Sequence, residues 1–156
     1  MSDQPTVQRY CTFDVGGMTF GISVLRVQEV LRVQTKTRIP LVSPIISGLI
    51  NLRGEIVTTI DLGRRLAMPD SDSGPRDMSL VVRTSEGLVC ILIDDVSDVV
   101  DLDDHLIDDV PPTVDQVCRD VARGVFQLDG RLLMILDVDR MVDLGSTGQE
   151  LRGAAA

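Results

Sequence analysis

The fold of this chain is decided by a segment that occurs twice, as GLINLRGEIVTTIDLGRRL at residues 48–66 and as GVFQLDGRLLMILDVDRMV at residues 124–142. At a constant offset of 76 residues, glycines, an aspartate, an arginine and several apolar positions of the first copy fall on matching residues of the second. A weaker match at an offset of 69 places Val27, Glu29 and Val30 on Val96, Asp98 and Val99. Two copies in one chain predict two similar half-structures related by an approximate twofold axis.

Each half has the pattern of short strands joined by tight turns. Arg-Gly at 53–54 and Asp-Gly at 129–130 stand between apolar runs, which is typical of β-hairpins. The predicted strands, five in each half, are 9–15, 18–22, 27–33, 48–52, 55–60, 79–84, 87–93, 96–100, 124–128 and 131–136. Five short strands per half favour a small closed barrel, because closure removes exposed sheet edges. The predicted class is all-β, and the sequence leaves open whether the first strand pairs within its own half or crosses to the other.

Helix is predicted only in short segments. Single helical turns are expected within 22–26, 62–66 and 138–142. Pro112–Arg119 has the pattern of a short capped helix, with Thr113 as N-cap and Gln116 at the third helical position.

The repeat also sets the domain organisation. We expect one domain over residues 8–143, with the first repeat at about 9–66 and the second at about 79–143. A polar connector, 68–78, joins the halves, and residues 1–7 and 145–156 are expected to be flexible tails.

Composition and charge exclude several classes of function. The chain has 156 residues, 44% of them hydrophobic, and a formal net charge of -9, which repels phosphate backbones. With three Phe, one Tyr and no Trp it also lacks a stacking platform for single strands, so no nucleic-acid binding is expected. The acidity is uneven: residues 1–78 carry a net charge of +1 and residues 79–156 a net charge of -10. The two halves therefore cannot present the same partner surface.

The sequence predicts a cytoplasmic protein without membrane insertion. No uncharged apolar stretch approaches the roughly 20 residues of a spanning helix, and the first residues lack the features of a secretory signal. Cys11, Cys90 and Cys118 are an odd, widely spaced set, which favours free thiols in a reducing compartment. Cys11 and Cys90 lie in strand patterns and are expected in the core. For Cys118 the sequence leaves open whether the thiol is buried or exposed to solvent.

Candidate reaction centres are weak. Asp61 and Asp137 occupy equivalent repeat positions, which allows an aspartate-dependent enzyme, but each carboxylate also suits the cap of a following helical turn. The eight aspartates within 94–109 lack the spacing and the glycine of a calcium loop, so a solvated acidic rim is expected. His105, the single histidine, has no recognisable nucleophile beside it. We therefore expect no catalytic residues, metal or cofactor, and a module that binds or scaffolds other macromolecules.

One segment makes the chain recognisable. GLINLRGEIV at residues 48–57, followed by Ile60-Asp61-Leu62, resembles the signature segment of the CheW-like chemotaxis coupling proteins. Residues 10–30, Arg38-Ile39-Pro40 and 93–99 are also similar to the corresponding parts of that family. The resemblance covers about residues 8–143. The family often has proline at the place of Thr58 and an apolar residue at the place of Thr59, so this chain departs from it in one strand.

The resemblance implies two five-stranded, SH3-like β-barrels that share a further apolar core. It also implies a non-enzymatic adaptor that couples the cytoplasmic tips of methyl-accepting chemoreceptors to the regulatory domain of a CheA-type histidine kinase. A CheW-like adaptor in another chemosensory-type pathway, such as motility by pili, is the alternative. Receptor tips are helical, so they would dock by helix-in-groove packing between the barrels.

The resemblance carries partner-binding roles onto six residues of this chain: Val27, Glu29, Asn51, Arg53, Gly54 and Val99. Arg53 is the best candidate, because a guanidinium at a turn tip can bind a carboxylate with two hydrogen bonds; its repeat partner is Asp129. The alternative for Arg53 is an ordinary hairpin charge, and the alternative for Glu29 is a plain exposed strand residue. Val27 and Val99 also suit the core, and Gly54 suits a turn with positive φ.

Overall fold

The computed structural model describes residues 6–32, 43–69 and 76–143. The ten strands within these ranges are β1 (Val7–Val15), β2 (Met18–Ser23), β3 (Val27–Arg32), β4 (Ile46–Leu52), β5 (Glu55–Asp61), β6 (Met78–Thr84), β7 (Gly87–Ile93), β8 (Asp95–Asp103), β9 (Ala122–Leu128) and β10 (Arg131–Leu136). The three helices of the described residues are α1 (Leu62–Arg65), α2 (Gln116–Val121) and α3 (Val138–Val142). Single 3-10 turns lie at Val24–Arg26 and Asp104–Leu106. The all-β class is confirmed, and every predicted strand is present within two to three residues at each end.

The strands form two five-stranded sheets, and each sheet contains strands from both halves. Sheet I has the order β8-β1-β2-β10-β9, and sheet II has the order β3-β6-β7-β5-β4. The first hairpin of each half, β1-β2 or β6-β7, therefore pairs with the last three strands of the other half. Parallel pairs join each exchanged hairpin to its new sheet, β2 with β10 and β7 with β5. The first strand crosses between halves, which answers the question that the sequence leaves open.

Three apolar clusters stabilise this arrangement. One fills sheet I (Tyr10, Leu102, Leu133, Ile135) and one fills sheet II (Ile50, Leu52, Val57, Val81, Cys90). The largest cluster draws on both sheets, with Phe13, Phe20 and Met134 from sheet I and Ile60 and Leu80 from sheet II. Full burial of side chains of this size stabilises the fold by about 1.5–3 kcal/mol each. The expected shared core is therefore the main contact between the sheets.

Sheet I closes on itself through a backbone bridge after β8. Asp108 and Val125 each donate an amide hydrogen bond of 2.8 Å to the other's carbonyl, which links the segment after one edge strand, β8, to the other edge strand, β9. Gly124 makes this approach possible, because a Cβ atom there would lie 2.6 Å from the Asp108 carbonyl oxygen.

One local prediction is wrong, and one open point is answered. Thr113 is not the N-cap of the second helix: α2 begins at Gln116 with Asp115 as N-cap, and the Asp115 side chain makes no capping hydrogen bond. The reason is a separate turn, closed by the Val114 amide on the Pro111 carbonyl, that includes Thr113. Cys118 is buried in α2, as Cys11 and Cys90 are in their strands, and all three are free thiols.

The described residues include only part of the predicted tails and of the predicted connector. β1 begins at Val7, so that residue belongs to the fold rather than to a tail. Met78 likewise belongs to β6. The other residues predicted as tails, and 70–75 of the connector, lie outside the described residues, apart from Thr6.

Candidate functional site

The β4-β5 hairpin tip has a backbone that few residues tolerate. Arg53 has φ 52° and Gly54 has φ 87°, and positive φ at both central residues defines the hairpin turn whose twist suits the strands. The Asn51 side-chain oxygen accepts a hydrogen bond of 2.8 Å from the Gly54 amide. Gly54 adopts its positive φ without steric cost because it has no Cβ atom. Arg53 is held in a left-handed conformation that costs an L-residue about 1–2 kcal/mol. Asn51 and Gly54 thus fix the direction in which Arg53 leaves the backbone.

The Arg53 guanidinium binds the Glu29 carboxylate through two parallel hydrogen bonds. Nη1 donates to Oε1 at 2.5 Å and Nη2 donates to Oε2 at 2.7 Å. The Glu29 side chain is 22% exposed and the Arg53 side chain is 68% exposed. The hydrogen bonds from Arg53 hold the pKa of Glu29 below its ordinary value, and the same contact raises the pKa of Arg53. Both groups are therefore charged at neutral pH, and Arg53 has further N–H donors that face solvent.

A β-bulge in β3 immediately precedes Glu29. Val27 pairs with Val82 but Glu29 pairs with Val81, so β3 contains one extra residue, Gln28. The equivalent strand β8 has an irregularity at the same repeat position. There the Thr12 hydroxyl donates to the Asp98 carbonyl at 2.7 Å and accepts from the Asp98 amide at 3.0 Å.

The six predicted partner-binding residues do not form one cluster. Glu29, Asn51, Arg53 and Gly54 meet at the tip of sheet II. Val27 is half-buried on β3 and packs against the shared core. Val99 lies on β8, an edge strand of sheet I, and is 56% exposed. Val99 is the repeat equivalent of Val30 rather than a neighbour of the ion pair.

Sequence reasoning missed the exposed apolar residues beside the strand ends. Ile56, next to the hairpin tip, is 52% exposed, and Val30, next to Glu29, is also exposed. On sheet I an open groove along β2 and β10 is lined by Asp14, Gly17, Met18, Thr19, Arg131, Leu132 and Met134. Leu132 is the repeat equivalent of Ile56. The repeat alignment therefore contains the signal: one exposed apolar residue, Ile56 or Leu132, at the second position after the glycine of each hairpin tip.

The carboxylates of Asp61 and Asp137 each cap the helix that follows. The Asp61 side chain accepts from the Arg64 amide at 3.2 Å and caps α1, and the Asp137 side chain accepts from the Arg140 amide at 3.1 Å and caps α3. Asp61 also pairs with the Arg76 guanidinium. The capping interpretation of both aspartates is confirmed.

The acidic segment and its histidine lie on the outside of sheet I. Asp103 accepts a hydrogen bond from the His105 amide, and the His105 ring is largely exposed. Within residues 6–32, 43–69 and 76–143, no three His, Cys, Asp or Glu side chains are grouped as metal ligands would be. In the same ranges no helix has the length and apolar character needed to cross a bilayer.

The comparisons with known proteins agree with this architecture. The sequence profile of the CheW-like domain matches residues 9–145. The chain belongs to the CheW-like family. It is 30% identical over 135 residues to the chemotaxis protein CheW of Klebsiella aerogenes, covering 86% of this chain and 81% of the relative. It is 29% identical to the chemotaxis protein CheW of Bacillus subtilis, covering 91% of each chain.

A solved CheW structure has the same fold. The crystal structure of the scaffolding protein TtCheW from Thermoanaerobacter tengcongensis superposes with a TM-score of 0.78 at 24% identity, covering 91% of this chain and 95% of that one. At this identity the likeness establishes the two-sheet fold. Family membership and the curated CheW relatives support a chemotaxis adaptor or scaffold role for this chain.

Proposed function

We propose that this chain links the cytoplasmic tips of methyl-accepting chemoreceptors to the regulatory domain of a CheA-type histidine kinase. It acts in the cytoplasm by binding alone, without catalysis, metal or cofactor. The observation that carries the proposal is the Arg53–Glu29 pair, which presents an exposed and oriented guanidinium at a hairpin tip. Two exposed apolar residues are close in the chain: Val30 adjoins Glu29, and Ile56 follows the hairpin tip.

The pair suits recognition because its geometry is fixed before a partner arrives. Glu29 uses two of the five guanidinium N–H donors of Arg53, which leaves three for a partner carboxylate or carbonyl. The Asn51 side chain holds the turn, so little conformational entropy remains to be lost on binding. Ile56 supplies apolar area at the same tip. A charged group with an apolar neighbour is the composition of an interface hot spot.

The two partners differ in the surface that they require. A helical receptor tip would pack its apolar face in the region between the two sheets and so contact both. A kinase regulatory domain would contact one end of a single sheet, where the groove along β2 and β10 or the Ile56 end of sheet II offers apolar surface. Each contact is small, and multivalent assembly in an array raises the combined affinity.

The test is charge reversal at Arg53 in the full chain. We expect Arg53→Asp to lose most binding to a receptor tip, a kinase regulatory domain or both, with near-normal circular dichroism. Asp129→Asn is the matched control, because Asp129 occupies the same position of the other hairpin. The double variant Glu29→Arg with Arg53→Glu restores the ion pair but reverses the charge that is presented. Normal binding by that double variant would limit the pair to a structural role.

A further inference from the structure

The two sheets are joined at two corners that use the same chemistry with different residues. At the first corner Asp94, between β7 of sheet II and β8 of sheet I, accepts a hydrogen bond of 2.7 Å from the Gly16 amide in the β1-β2 turn. The Arg76 Nε atom lies 2.8 Å from the other oxygen of this carboxylate, an ion pair without the geometry of a hydrogen bond. One aspartate thus contacts a turn of sheet I and an arginine that precedes a strand of sheet II.

The second corner repeats the pattern. Asp139 in α3, which follows β10 of sheet I, accepts a hydrogen bond of 2.8 Å from the Ser85 amide in the β6-β7 turn of sheet II. The Arg26 Nη2 atom donates to Asp139 at 3.0 Å. Ser85 is the repeat equivalent of Gly16 at the offset of 69. Each exchanged hairpin therefore has its turn amide held by a carboxylate that is also paired with an arginine.

The absence of a side chain at Gly63 leaves room for the Arg76 guanidinium. Gly63 occupies the repeat position of Asp139, and a Cβ atom at Gly63 would lie 2.8 Å from Arg76 Nη2. The Arg76 side chain is 9% exposed, and its Nη1 atom donates to Asp61 at 3.3 Å. Arg76 Nε and Nη2 are both buried without a hydrogen-bond partner among the described residues. A buried guanidinium with unmade hydrogen bonds costs stability, so a stabilising role is a weak explanation for Arg76 and a role in fixing one arrangement is the hypothesis to test.

We propose that Arg76 and Arg26 are positioning residues that set the relative orientation of the two sheets. The shared core holds the sheets together but is made of non-directional apolar contacts. The corners add directional hydrogen bonds, from the turn amides to Asp94 and Asp139 and from the two arginines to Asp61 and Asp139. A partner that contacts both sheets depends on this orientation, and a partner that contacts one sheet does not. The identity of these partners rests on the proposed function: the receptor tip is the first kind and the kinase domain the second.

The test compares Arg76→Gln with Arg9→Gln in the full chain. Arg9 also pairs with an aspartate, Asp101, but both lie within sheet I. Spin labels at Gln28→Cys on β3 and Gln127→Cys on β9 report the distance between the sheets, and the three native thiols are buried. Arg76→Gln should broaden or shift this distance distribution, and Arg9→Gln should leave it unchanged. Asp139→Asn at the second, more exposed corner provides the same test if Arg76→Gln does not fold.

Binding measurements complete the test. Arg76→Gln should weaken receptor-tip binding about tenfold, or about 1.4 kcal/mol, and leave kinase-domain binding unchanged. An unchanged distance distribution, or equal losses toward both partners, would overturn the inference. Absence of wild-type binding to either partner would instead reject the proposed function, and the label distances would still decide whether the corners set the orientation.

Discussion

Arg53 and Glu29 close sheet II by joining its two edges. Glu29 lies on β3, one edge strand, and Arg53 lies at the tip of the hairpin that contains β4, the other edge strand. In a flat five-stranded sheet these edges would lie about 19 Å apart, well beyond the reach of the two side chains. The contacts of 2.5 and 2.7 Å therefore require the sheet to curl into a barrel. Sheet I has Asp98 and Asp129 at the equivalent positions and closes through the Asp108–Val125 backbone bridge instead.

The contribution of this pair should disappear in acid. The pKa of Glu29 in the folded chain lies below its ordinary value of about 4.5, because Arg53 hydrogen-bonds the ionised form. A depressed carboxyl pKa stabilises the fold above the unfolded-state pKa, and that stability is lost as the pH falls through the folded pKa. Urea unfolding of the wild type and Glu29→Gln should differ near pH 7, and the difference should shrink as the pH is lowered below 4.5. A difference that persists in acid would show that the pair is not responsible for it. High salt should also reduce the difference, since the pair is exposed.

The two hairpin glycines should separate stability from function. Gly54 and Gly130 have φ values of 87° and 73°, and a Cβ atom at either would meet nothing within 4 Å. Valine there is strained by the backbone alone, at a cost of at least about 1–2 kcal/mol. Both Gly54→Val and Gly130→Val should lower the melting temperature, but only Gly54→Val should displace Arg53 and reduce partner binding. Equal binding losses in the two variants would place the effect in general stability.

The departure from the family in β5 should be destabilising. The hydroxyls of Thr58 and Thr59 are buried, and neither has a hydrogen-bond partner among the residues described. Valine has nearly the same shape without the polar group, so Thr59→Val should raise the free energy of unfolding by about 1 kcal/mol or more. Thr12→Val is the matched control, because the buried Thr12 hydroxyl makes two hydrogen bonds to Asp98 and its loss should destabilise. The prediction fails if the two substitutions shift chemical denaturation in the same direction.

The buried Tyr10 hydroxyl connects β1 with the 3-10 turn at Asp104–Leu106 and with β9. The Tyr10 hydroxyl donates to Asp104 at 2.9 Å and accepts from Arg123 at 3.3 Å, and burial raises the pKa of Tyr10. Tyr10→Phe should cost about 1 kcal/mol of stability. Arg9→Gln should cost less, because it removes an exposed ion pair that competes with water. Chemical denaturation of both variants tests this order, which a larger loss in Arg9→Gln would reverse.

The strands could be predicted because they are encoded locally. Alternating apolar residues and turn signals such as Arg53-Gly54 mark each hairpin without reference to the rest of the chain. The repeat also predicted the capping aspartates, since Asp61 and Asp137 each precede a helical turn in the same context.

The remaining features depend on contacts between distant segments. The exchange of β1-β2 with β6-β7 leaves the local pattern of each strand unchanged, so no single segment reveals it. The pairing of Glu29 with Arg53 depends on the bulge at Gln28 and on the curl of the whole sheet. The spacing of Thr113 alone predicts a cap, but Thr113 lies in a separate turn closed by the Val114 amide on the Pro111 carbonyl.

The exchange of hairpins makes the halves interdependent. A polypeptide containing only β1 to β5 would have three strands of one sheet and two of the other, with neither able to close. Two such polypeptides could complete each other as an intertwined homodimer by trading their first hairpins. The covalent link between β5 and β6 makes that trade intramolecular, so its success does not vary with protein concentration. Splitting the gene in this connector should therefore yield two fragments that fold only when they associate.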